Sequence, residues 1–195
     1  MNSIAKWLTK HIKNNVSDLT ELQLIKIEFG LECLLSEASK IILYALLFYF
    51  LSLVREFITA LIFFSLIRAF AGGYHEETYW RCLITSLLFL GSCIFLGIFI
   101  DITIYAKIAI IIISIIIAYL FSPIDHPNKP IISMHRRKAL KHLSIGIIII
   151  LGLIGINLPG EYSNIALLAI LMESFSLILG YMKKKYVYSK NNLCC

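Results

Sequence analysis

Between Arg81 and Asp101 the chain runs from Cys82 to Ile100 without one charged side chain, and most of that stretch is apolar. Such a run approaches the roughly 20 apolar residues that a helix needs to cross the hydrocarbon core of a bilayer. One run of this kind could be a buried helix in a soluble domain. Here the pattern returns from about Tyr105 to Phe121, Leu143 to Leu158 and Ile165 to Met182, and earlier from Cys33 to Leu53 and Phe57 to Phe70. Hydrocarbon offers no partners to backbone polar groups, so repeated runs of this length call for helices that satisfy their own. The expectation is an all-α fold, a polytopic membrane helical bundle of six spanning or partly re-entrant helices. Residues 1–195 then form a single membrane domain. Composition agrees, with 59% hydrophobic and 15% charged residues, outside the usual range for soluble domains.

The edges of these runs carry the polar information. Residues 1–31 read as an amphipathic N-terminal subregion, with Ile4, Trp7, Leu8, Ile12 and Val16 at helical spacing and Lys6, Lys10 and Lys13 between them. That helix either lies in the lipid interface or packs on the bundle. Its alternation of charge and apolar groups lacks the continuous apolar core of a signal peptide. Asp18 to Glu21 suggests a break and a new helix start, with Thr20 as a cap that shares its role with Asp18. Arg55 and Glu56 mark a turn. The Phe57 run is short and holds Arg68, which either snorkels to the interface or organises a polar pocket. Pro123, Pro127 and Pro130 make the segment after Phe121 a connection rather than a helix. Glu173, inside the last run, is expected to face protein or a polar crevice rather than lipid, and residues 183–195 form a basic tail.

Six crossings would leave both termini on one side. Lys6, Lys10, Lys13 and Lys26, the Lys129–Lys141 region and Lys183–Lys185 with Lys190 then share that side, while Arg55, Asp101, Lys107 and Glu161 lie opposite. The excess of positive residues predicts that this side, including the loop with His75, is cytosolic. It also explains the net charge of +6 through topology and contact with anionic membrane lipids. No stacking and base-reading module supports nucleic acid as a partner.

The five cysteines form no disulfide framework or zinc-ligand pattern. Cys33, Cys82 and Cys93 lie in or beside apolar runs, and Cys194 and Cys195 end the sequence; reduced thiols are expected. Cys82 stands out because His75 precedes it by seven residues, after Gly72-Gly73. A thiolate is the useful nucleophile, and a nearby imidazole can take the thiol proton and return it to a leaving amine. Amides near Gly72 and Gly73, or the Arg68 guanidinium, are candidates to stabilise an oxyanion. If residues 75–82 were helical, His75 and Cys82 would sit about 10 Å apart along the axis, so a bend after Gly73 is required. The plainer reading makes Cys82 a small packing residue and His75 an interfacial donor; Glu76 and Glu77 either orient His75 or, more simply, form a solvated surface. His11, His126, His135 and His142 have no cysteine partner by spacing, and no metal or organic cofactor is implied.

Arg68-x-x-Ala71-Gly72-Gly73-x-His75 followed by Cys82, together with Ser122-Pro123-x-Asp125-x-Pro127-Asn128-Lys129-Pro130, resembles the accessory gene regulator B family of peptide-processing membrane proteases. Length and the basic amphipathic start also fit, so the resemblance covers essentially the whole chain. It implies a cysteine endopeptidase with Cys82 as nucleophile and His75 as general base and acid. It implies as partner a short AgrD-like precursor peptide with an amphipathic leader and an acidic C-terminal tail. The tail is cut off, and the retained part passes through an acyl-enzyme to a thiolactone or lactone. Under that reading Arg68 positions the scissile carbonyl or the acidic tail. Asp125, Asn128 and Lys129 either build a second polar wall for substrate or order the proline-rich connection. A homodimer is also implied. The competing readings are a nonproteolytic peptide transporter, disfavoured by the lack of paired broken helices, and a membrane adaptor.

Overall fold

A computed structural model describes residues 2–16, 19–74, 76, 78–124 and 133–192. Seven helices follow in order among these residues: α1 (Asn2–Asn15), α2 (Glu21–Phe50), α3 (Val54–Ala71), α4 (Tyr79–Phe99), α5 (Ile104–Phe121), α6 (Met134–Asn157) and α7 (Gly160–Asn192). The chain is a polytopic helical membrane protein. Helices α2, α4, α5, α6 and α7 are each long and apolar enough to cross a bilayer. Helix α3 carries Arg55, Glu56 and Arg68 but is an unbroken helix of 18 residues, about 27 Å long at a rise of about 1.5 Å per residue.

Two compact units divide the chain at Ser52. In the first, α1 contacts α2, and Ala5 and Thr9 are buried while Ile4 and Trp7 remain exposed. The amphipathic N-terminal region therefore splits between two helices. The Thr20 hydroxyl accepts from the Gln23 amide, and the Gln23 side chain accepts from the Thr20 amide at 2.8 Å. This reciprocal capping box starts α2 at Glu21, earlier than the apolar run from Cys33 suggests. The helix thus continues through residues too polar for hydrocarbon. Helix α2 ends in a turn at Leu51–Leu53, so Arg55 and Glu56 lie in the first turn of α3 rather than forming the turn.

The second unit, Leu53–Cys195, is built around α7, which contacts α3, α4, α5 and α6. Ile165, Ala166, Leu167, Ala169, Ile170 and Leu177 have no exposed surface. Leu88, Phe99, Ile112, Leu120 and Leu153 of the surrounding helices are exposed instead, as expected where lipid is the solvent. Helices without a hydrophobic drive between them associate through small residues that allow close approach. Gly97 of α4 illustrates this, because a Cβ there would meet the backbone of Ile165 at 2.9 Å.

Contacts along α7 fix the direction of each helix in this unit. Tyr162, at its start, donates to Glu56 near the start of α3, at 3.4 Å. Lys107, early in α5, donates to Ser163 at 2.7 Å. Asn164 donates to the Gly97 and Ile100 carbonyls at the end of α4, at 3.4 and 3.0 Å. Near the other end of α7, Phe121 of α5 packs edge-on to Tyr181. Ser122 donates to Ser144, in the first half of α6 near its middle, at 3.0 Å. Successive helices therefore alternate in direction, with the α3–α4 and α5–α6 connections at one end and the α4–α5 and α6–α7 connections at the other. The basic cluster Arg136-Arg137-Lys138 and Lys141 lies within the start of α6, at the same end as Lys183 on α7.

Candidate functional site

Arg68 lies in the last turn of α3, one turn before the helix closes. The Gly72 amide donates to the Arg68 carbonyl at 3.0 Å, and Gly72 takes a φ of +75°, a conformation that costs an L side chain free energy. An added Cβ would also drive into the Ile124 carbonyl. The Ile124 amide donates to the Ala71 carbonyl at 2.9 Å, tying the segment after α5 to the end of α3. Gly73 is buried against α7: a Cβ there would lie 2.7 Å from Glu173 Oε1, 2.8 Å from Ser176 Oγ and 3.1 Å from Arg68 Nη1. The glycine pair thus provides a sharp exit from α3 and a close approach to α7.

The guanidinium of Arg68 bridges two structural elements. Its Nη1 lies 3.3 Å from Glu173 Oε2, and Glu173 is fully buried on α7. Its Nη2 donates to the Tyr74 carbonyl, and its face lies 5.5 Å over the Phe64 ring. Of the two sequence readings of Arg68, the structure selects the polar node over snorkelling. The Tyr74 hydroxyl donates to Glu76, Lys183 Nζ lies 3.7 Å from Glu76 Oε2, and the same ammonium stands 5.3 Å over the Tyr74 ring. Glu76 is therefore part of a structured network, which corrects its reading as a plain solvated surface.

Helix α4 begins at Tyr79, and Glu76 and Thr78 lie outside any helix, so the helix that holds Cys82 does not extend back to Glu76. Cys82 is buried in the first turn of α4, where its amide donates to the Thr78 carbonyl at 3.0 Å. Cys33, Cys82 and Cys93 are not joined by disulfides. A groove of about 580 Å³ lies at this end, lined by Tyr74, Glu76, Arg81, Thr85, Leu179 and Lys183. Its polar lining includes two cations and one carboxylate. His75, Asp125, Asn128 and Lys129 lie outside the described residues, as do Glu77, His126, Cys194 and Cys195.

The structure brings Arg68, Gly72 and Gly73 together and adds residues that motif reading did not assign. Glu173, Ser176 and Gly180 repeat at intervals of three and four on α7, so they share one helix face. A Cβ on Gly180 would lie 3.2 Å from the Gly73 carbonyl carbon. A polar and small stripe of this kind within an apolar helix was the available sequence signal. Its partner across the fold was not.

This fold and site define a multi-pass membrane protein with a polar groove at one end of its helices. A family model described as accessory gene regulator B matches residues 1–177. The chain is 28% identical over 186 residues to an AgrB-like protein of Clostridium beijerinckii, covering 95% of this chain and 92% of that protein. It is 26% identical over 185 residues to accessory gene regulator protein B of Staphylococcus aureus, covering 94% of this chain and 97% of that one. No solved structure matches the chain. The chain belongs to the accessory gene regulator B family, which connects it with peptide processing in quorum sensing.

Proposed function

We propose that this protein is a membrane cysteine endopeptidase that removes the acidic C-terminal tail of an AgrD-like precursor and supports ring closure of the retained peptide. One observation carries the reading: the groove is lined by Tyr74 and Glu76, which flank His75, by Arg81, which precedes Cys82, and by Thr85, one helical turn after it. Residues adjoining both proposed catalytic groups therefore share one recess.

In this mechanism His75 takes the Cys82 proton, and the thiolate attacks the scissile carbonyl to form a tetrahedral oxyanion. Collapse breaks the C–N bond, His75 returns the proton to the leaving amine, and the retained peptide stays on Cys82 as a thioester. A cysteine thiol or serine hydroxyl of the retained peptide then attacks the thioester. That step frees Cys82 and closes a thiolactone or lactone. Gly72 and Gly73 shape the backbone turn, and Arg68 holds it. Arg81 and Lys183 give the groove positive charge that suits an acidic leaving segment. Asp125, Asn128 and Lys129 are proposed as a second wall. The positive-inside pattern supports a cytosolic groove and cytosolic termini.

Reconstitution with a precursor peptide, followed by mass measurement of both products, tests the reading. Cys82→Ala is expected to abolish cleavage in folded protein. His75→Ala is expected to slow it by about 10²- to 10⁴-fold, the usual contribution of a positioned acid–base group. Normal cleavage by folded Cys82→Ala protein would contradict the mechanism, whereas transport without cleavage would favour the transporter reading.

A further inference from the structure

Glu173 is a carboxylate with no exposed surface inside an apolar helix. An ionisable group in such a place is costly and calls for a partner, which Arg68 supplies at 3.3 Å. The ion pair accounts for one side of the guanidinium only. Arginine presents its donors in a rigid planar fork, so anchoring Nη1 to α7 sets the direction of Nη2. That second nitrogen donates to the Tyr74 carbonyl. This oxygen belongs to the peptide unit joining Tyr74 to His75, and a peptide unit is planar. Fixing its oxygen restricts the orientation in which the backbone enters position 75.

The same face of α7 holds the preceding residue. Glu173 Oε1 and Ser176 Oγ close on Gly73 so tightly that a Cβ would meet them at 2.7 and 2.8 Å, and Gly180 admits the Gly73 carbonyl. Helix closure needs none of this, because Gly72 already ends α3 through its own amide. The face gathers on an irregular segment of backbone immediately before the proposed general base.

We infer that Glu173 is a positioning residue for the reaction: through Arg68 it fixes the Tyr74 carbonyl, the last described backbone group before the proposed general base. The inference rests on the proposed catalytic pair. Glu173 itself touches no reacting atom.

The test uses full-length protein in lipid and compares wild type with Glu173→Ala, Glu173→Gln, Arg68→Lys and His75→Ala. Three quantities are read: kcat and KM for precursor cleavage, the pH profile of Cys82 alkylation without peptide (followed by mass on the Cys82 fragment), and the melting temperature. Glu173→Ala is expected to lower kcat by about 10²-fold, the effect of a small misplacement of a reacting group, with little change in KM. Its alkylation profile should move toward that of His75→Ala. Glu173→Gln keeps the side-chain volume if the alanine variant fails to fold, and should show a smaller shift in the same direction. Arg68→Lys keeps the positive charge but loses the fork, so it should also lose kcat. A purely structural pair would lower the melting temperature and leave kcat and the profile of folded protein unchanged. Wild-type kcat and profile in folded Glu173→Gln and Arg68→Lys would overturn the inference while leaving the catalytic pair intact. An unchanged profile in His75→Ala would overturn the pair and the inference together.

Discussion

The two ends of the Leu53–Cys195 bundle both bury polar side chains, but they apply them to different parts of the backbone. At the end holding the start of α7, Asn164 donates to the Gly97 and Ile100 carbonyls, groups that a finishing helix leaves without intrahelical partners. Lys107 and Ser163 pair nearby. These contacts join and close helices. At the other end Arg68 and Glu173 hold a carbonyl outside any helix, and Gly72 and Gly73 occupy positions that exclude a side chain. Buried polar groups that order a loop, when helix ends are already closed, distinguish the end where the proposed chemistry is placed.

Matched substitutions at the two ends can break this comparison. Gly73→Ala should have the largest effect, lowering cleavage by at least about 10²-fold because the new Cβ displaces Glu173, Ser176 and Arg68. Gly97→Ala forces a comparable clash against Ile165. It should destabilise the protein by about 1–3 kcal/mol through overpacking, while protein that folds cleaves at the wild-type rate. Loss of cleavage in folded Gly97→Ala protein, seen by comparing activity with thermal melting in lipid, would dissolve the distinction. Asn164→Ala should cost about 1–3 kcal/mol, the penalty for stranding buried carbonyls, again with kcat unchanged. The smallest effect is expected in the groove. Lys183→Gln should raise KM for an acidic-tailed precursor about two- to fivefold, the range of a partly exposed ion pair. High salt should shrink that difference. Equal KM values in low salt would remove Lys183 from substrate contact.

Much of the fold was legible because its cause is local. Apolar runs such as Cys82–Ile100 announce helices by length alone, and the lack of backbone partners in lipid allows few alternatives. Boundaries were harder wherever a polar helix extends beyond the hydrocarbon. The Thr20–Gln23 capping box begins α2 at Glu21, and α6 takes in its basic residues from Met134. Neither start is signalled by hydropathy. At the site, Arg68, Gly72 and Gly73 drew notice as a motif, yet their functions depend on contacts across the fold. The partner of Arg68 is 105 positions away on α7, and Gly72 is confined by Ile124. Glu173 could be read as facing protein, but its spacing carries no record of the guanidinium beside it. Lys183 likewise reads as part of a basic tail until α7 brings it to Glu76.

The proposed reaction passes through a covalent bond between Cys82 and the retained peptide. Its most direct test is the intact mass of the full-length protein in lipid, quenched in acid soon after mixing with a precursor whose ring-closing residue is replaced by alanine. The account predicts an added mass equal to the retained fragment, mapped to Cys82, removed by hydroxylamine and absent from Cys82→Ala. Cleaved precursor with no adduct on Cys82 at any quench time, or an adduct on another residue, would contradict it.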